Sequence, residues 1–162
     1  MIIHVKNKNT LIIDDFKLMC CIGKNGLSSN KREGDFSTPK GLFKIKKLYF
    51  RKDRVGIPNS TIIKKKITKN LGWCDNPNHK KYNEEIKVFG KNTKENFFRV
   101  DHKYDYLITI SHNDKKIPYK GSAIFIHLTD DYKPTMGCIA IKKKDFDILL
   151  NLIDRKTKIK IG

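Results

Sequence analysis

Residues 121–141, GSAIFIHLTDDYKPTMGCIAI, constrain this chain more than any other stretch. Two apolar runs flank a polar turn. The first, 122–128, is β-branched and aromatic and predicts a strand. The second, 138–141, predicts another. Asp130, Asp131, Tyr132, Lys133 and Pro134 between them are turn formers. His127 therefore ends one strand and Cys138 begins the next, and a turn that folds back brings the two side chains together. A cysteine beside a histidine is the minimum equipment for nucleophilic acyl chemistry: the imidazole takes the thiol proton and the thiolate attacks a carbonyl. Gly137 precedes the cysteine. Without a side chain it admits a substrate carbonyl to the backbone and lets nearby N–H groups turn toward an oxyanion. The same residues have plainer uses. A lone cysteine at a strand start is usually a small core hydrophobe, and a lone histidine a satisfied polar group.

The stretch resembles the signature of YkuD-type L,D-transpeptidase catalytic domains. That signature is a His at a strand end, a loop, then Ser/Thr-His-Gly-Cys and an apolar residue. His127, Thr135, Gly137, Cys138 and Ile139 match it. Met136 stands in place of the second His, Ala140 in place of an Arg, and the loop is short. PTMGCIA, 134–140, is similar to a branch with Pro-Thr-x-Gly-Cys. KREGD at 31–35, TPKG at 38–41, and GWCD at 72–75 with Tyr82 and Asn83 resemble that branch too, so the likeness runs from about residue 23 to 146.

The resemblance implies a β-sandwich or barrel-like fold. It implies a thioester on Cys138 and His127 as base, with the ring oriented by the Leu128 carbonyl. The implied substrate is a peptidoglycan stem peptide, with no metal or cofactor. Attack by an amine gives a crosslink, and attack by water gives an L,D-carboxypeptidase. Thr135, Trp73, Asp75 and Tyr82 are the candidate substrate-binding residues. Thr135 equally suits turn support, and Trp73 a cap on the core. A non-catalytic basic protein holding an anionic polymer is the rival class.

The formal net charge is +18. Such charge attracts cell-wall material, anionic lipid or nucleic acid. The lysines are spread along the chain and no arm carries them, so nucleic acid is not an expected partner. The four cysteines make no zinc spacing and no disulfide framework, and Cys20, Cys21 and Cys74 are expected to be structural thiols. No signal peptide is legible, because the apolar start gives way at once to Lys6 and Asn7. No apolar run reaches membrane-spanning length. The resemblance implies the cell envelope or periplasm, and a cytoplasmic place stays open beside it.

One domain over 1–162 is expected from the length. Strands are predicted at 2–5, 10–13, 16–22, 42–50, 61–67, 105–111 and 156–161, with a hairpin turn at 6–9. Residues 71–85 read as irregular, and 96–100 as a short strand or helix end. Arg54 is a candidate for gripping a carboxylate, and His112 reads as an exposed turn residue. Phe146, Leu149, Leu150 and Ile153 form one helical stripe, so the one helix is predicted at 144–153, with Asp145 in its first turn. The fold class is mainly β with a single helix in the C-terminal region.

Overall fold

A computed structural model describes residues 1–7, 9–88 and 95–162; residue 8, in the predicted 6–9 turn, lies outside the described residues. In chain order the elements are β1 (Ile2–Lys6), β2 (Thr10–Ile13), β3 (Phe16–Met19), β4 (Leu27–Ser28), β5 (Thr38–Pro39), β6 (Gly41–Phe50), α1 (Lys52–Val55), β7 (Ile63–Lys66), β8 (Leu71–Trp73), β9 (Glu85–Lys87), β10 (Glu95–Asn96), β11 (Tyr106–Ile110), β12 (Phe125–Leu128), β13 (Ile139–Ile141), α2 (Lys143–Leu152) and β14 (Lys158–Ile161). The mainly β architecture agrees with the sequence reading.

Among the described residues a nine-stranded sheet runs β13-β12-β11-β6-β14-β1-β2-β3, with β7 also paired to β6. The long β6 joins its halves. Gly41 to Lys44 pair with β14, Lys47 to Phe50 pair with β7, and β11 takes the opposite edge. Beyond β3 the chain returns to the far end of the sheet. Cys21 and Ala140 exchange both backbone hydrogen bonds at 2.9 Å. The Thr135 N–H donates to the Ile22 carbonyl and the Lys24 N–H to the Thr135 carbonyl, each at 2.9 Å. The sheet is thereby nearly closed into a barrel, which satisfies strand edges that would otherwise be open. The seam of that closure runs beside Cys138.

Alternation divides the core. Ile126 and Leu128 of β12, Ile108 and Ile110 of β11, and Leu48 and Phe50 of β6 join the larger apolar cluster. Phe146, Leu149 and Leu150 of α2 are buried in that same cluster, as the helical stripe requires. Phe125, Leu107 and Tyr49 point the other way, into a second cluster with Phe97, Tyr104, Ile67 and Leu71. His127 shares the Phe125 face, so it belongs to the aromatic side of the sheet.

Several local expectations are corrected. β3 stops at Met19, and Cys21 makes only an isolated bridge. Residues 71–85 are not wholly irregular, because β8 pairs with β9 and β10. Residues 52–55 form a single helical turn before Gly56. Arg54 is committed to structure. It donates to the Val100 and Asp101 carbonyls and pairs with the Asp105 carboxylate at 2.9 Å. His112 is half-buried. Its Nε2 lies 3.1 Å from the Lys120 carbonyl and its ring stands edge-on to Phe43.

Candidate active site

β12 and β13 run parallel in a register that sets His127 opposite Ala140. Cys138 lies two residues before Ala140, so its side chain emerges on the His127 face. The two residues line one cavity of about 290 Å³, and Ala140 lines it with them.

His127 is buried. Its Nδ1 lies 2.9 Å from the Leu128 carbonyl, an acceptor only, so Nδ1 carries the proton and Nε2 keeps a lone pair. The Tyr104 ring stands edge-on at 5.3 Å. Burial pushes the imidazole down to about 4; the Leu128 carbonyl opposes this, and the positive Lys103 and Arg99 add to it. At neutral pH the ring is uncharged and able to accept a proton.

The Cys138 thiol donates to the Ala123 carbonyl at 3.2 Å and accepts the Phe125 N–H at 3.4 Å. Among the described residues its hydrogen bonds run there rather than to His127. Burial pushes the thiol up to about 12. The Phe125 N–H and the Lys31 ammonium pull it down, while Glu95 pushes it up. The resting site therefore holds a neutral thiol and a neutral imidazole.

The segment before the cysteine is shaped from three directions. Gly137 has φ +142°, and a Cβ there would stand 3.0 Å from the Ser37 carbonyl oxygen. Its carbonyl accepts the Thr38 hydroxyl at 2.7 Å. Its N–H donates to the Thr135 hydroxyl at 3.1 Å, and that hydroxyl donates to the Cys138 carbonyl at 2.6 Å. Thr135 thus ties the turn, and the Gly137 N–H is already engaged rather than turned toward an oxyanion.

The other candidates divide. Thr135, Gly137 and Asp75 line the cavity with His127 and Cys138. Burial raises the Asp75 carboxyl, and Glu95 and Glu33 add to that rise. Trp73 and Tyr82 are not among the cavity-lining residues. Trp73 packs on Phe97 and Phe125 and donates to the Asn83 side chain at 2.9 Å. That Asn83 oxygen also accepts the Ala123 N–H at 3.1 Å, and Ala123 receives the thiol. Trp73 therefore stands behind the site and braces it. Tyr82 is buried and donates to the Glu33 carboxylate, which does line the cavity.

Sequence reasoning assigned no role to Lys31, Glu33, Glu95, Arg99, Lys103 or Tyr104, all of which line the cavity. Only the first two carried a signal, as part of KREGD. Among the described residues no group of three His, Cys, Asp or Glu side chains is placed to hold a metal. Among them, too, no helix is long and apolar enough to cross a membrane.

Among solved structures the chain is similar to Bd1075 of Bdellovibrio bacteriovorus, with a TM-score of 0.52 at 17% identity. That match covers 99% of this chain and 47% of the other, so this chain spans under half of that protein's length. At such identity the likeness speaks for the fold. No curated protein matches the chain. The family model for the L,D-transpeptidase catalytic domain, YkuD, matches residues 1–161, wider than the motifs alone reached. The chain belongs to the L,D-transpeptidase catalytic-domain (YkuD) family.

Proposed function

We propose that the protein is a cysteine-dependent acyl transferase acting on peptidoglycan stem peptides. Nε2 of His127 takes the thiol proton as Cys138 Sγ attacks the amide carbon before the terminal D-alanine. The imidazolium then gives that proton to the leaving amine nitrogen, the C–N bond breaks, and a thioester remains on Cys138. An amine from a second stem attacks the thioester and restores the thiol. Because thiol and imidazole are both neutral at rest, proton transfer accompanies attack instead of preceding it.

One observation carries this reading. The Nδ1 contact to the Leu128 carbonyl fixes the tautomer that leaves Nε2 basic, in the cavity that Cys138 shares. Members of this family are generally associated with the cell envelope, where the substrate is found.

Defined tetrapeptide muropeptides test the proposal. The wild-type protein should release D-alanine and form crosslinked products, and Cys138→Ala should do neither. Release unchanged in Cys138→Ala would overturn the thioester. Release without crosslinks would assign the same site to water as acceptor. A carbapenem should add its acyl mass to Cys138 of the intact protein.

A further inference from the structure

Lys31 is a buried cation that the mechanism above leaves unused. Its stem lies over Gly121, where a Cβ would come within 2.9 Å of Lys31 Cγ and 3.1 Å of Cε. Its head reaches Gly137, where a Cβ would stand 3.8 Å from Nζ. Both glycines have positive φ, +92° and +142°. The lysine thus threads between two bare Cα atoms, one at each end of the segment that carries His127. Nζ donates to the Arg32 carbonyl at 2.8 Å and pairs with the Asp35 carboxylate. That carboxylate is held in turn by the Arg32 and Ser37 N–H groups at 2.8 and 2.9 Å. An ammonium has three donors. Among the described residues two are committed, to Arg32 and Asp35, and the third is left for the cavity that Lys31 lines with Cys138.

Burying an ammonium is costly, and an apolar side chain of similar length would fill this channel more cheaply. We infer that Lys31 is a positioning residue whose ammonium is the fixed positive charge beside which negative charge develops on the Cys138 sulfur as its proton leaves. The inference rests on Cys138 being the nucleophile proposed above. The groups that bear on the thiol are Lys31, which favours its anion, Glu95 and Cys21, which oppose it, and the Phe125 N–H, which favours it; the Tyr104 hydroxyl also couples to it. Asp35 and His112 face Lys31 itself. With the Gly137 N–H held by Thr135, the lysine is a donor near the cysteine that the turn does not consume.

The test is the rate of iodoacetamide alkylation at Cys138 in the full chain, mapped by mass spectrometry between about pH 6 and pH 10. Lys31→Met should displace the log rate against pH line toward higher pH by about one unit, an alkylation about ten-fold slower at a given pH. Lys31→Arg should stay near wild type. Asp35→Asn should move the line the other way, because it unmasks the ammonium. Coincident lines for wild type and Lys31→Met overturn the inference. So does a shift of Lys31→Met and Asp35→Asn in the same direction, which is what a merely distorted loop would give. Should thermal melts show that Lys31→Met does not fold, Asp35→Asn decides alone: alkylation no faster than wild type overturns the inference. The muropeptide assay separates the two claims. Turnover that needs Cys138 together with alkylation indifferent to Lys31 removes only the role of Lys31. Turnover that persists in Cys138→Ala removes both.

Discussion

Gly137 is held where few residues can stand. Its φ of +142° disfavours any side chain, and the Ser37 carbonyl would meet an added Cβ at 3.0 Å. Gly137→Ala should therefore lose about 1–3 kcal/mol in urea melts, and turnover should fall further because the Cys138 backbone moves with the turn. Turnover at the wild-type level in a folded Gly137→Ala would show that this turn does not set the nucleophile's position. His127 makes a different prediction, of pH dependence. Its value falls from 6.5 to about 4 on folding, so the unfolded chain takes up a proton that the fold resists. The stability involved is fully present above about pH 6.5 and is lost as pH falls toward about 4, up to about 3 kcal/mol for this one buried group. The wild-type Tm should drop across that window more steeply than the Tm of His127→Gln. Parallel curves would mean that the imidazole is protonated in the fold.

At the scale of elements, β5 is a strand of two residues that holds the site in register. The Thr38 hydroxyl donates to the Gly137 carbonyl at 2.7 Å and accepts the Gly23 N–H at 2.9 Å, so one buried side chain joins the barrel seam to the cysteine turn. Thr38→Val keeps the shape and strands both partners, at about 1–3 kcal/mol for each. Thr38→Ser keeps both bonds and should stay within about 1 kcal/mol of wild type. Chemical denaturation of the two variants checks this, and a Thr38→Val as stable as wild type beside a destabilised Thr38→Ser would show that packing of the methyl group matters and the hydroxyl does not. Such an element was invisible in the sequence except as Thr-Pro-x-Gly. β12 and α2 were legible because their apolar residues recur with periods set by the local backbone. β8, β9 and β10 were not. Each is two or three residues long, and Gly72 and the Asn- and Asp-rich stretch after Trp73 carry no period. Their pairing is decided by partners elsewhere in the chain. The cavity divides in the same way. His127, Gly137 and Cys138 were readable from spacing, whereas Glu95, Arg99 and Tyr104 arrive from segments that only the tertiary fold brings near.

For the whole molecule, the sheet separates what stabilises the protein from what shapes the cavity. Phe146 is fully buried in the larger cluster and stacks on Tyr106 at 5.2 Å, on the face away from His127. Phe125 lies on the other face. Its ring meets Trp73 and Phe97 edge-on at 5.5 Å and Tyr104 at 6.3 Å, and its N–H reaches the thiol. Tyr104 in turn stands against the His127 ring. Phe146→Ala should lose about 3–5 kcal/mol, yet its folded molecules should turn over substrate at the wild-type rate. Phe125→Leu should lose less, about 1–3 kcal/mol, and slow turnover more, since loosening the aromatic cluster frees both Tyr104 and the strand that holds Cys138. Turnover per folded molecule, measured below both melting transitions and set beside urea melts of the same samples, distinguishes the two. If Phe146→Ala slows turnover as much as Phe125→Leu does, the strands transmit core strain straight through to the cavity, and the division of labour between the two faces fails.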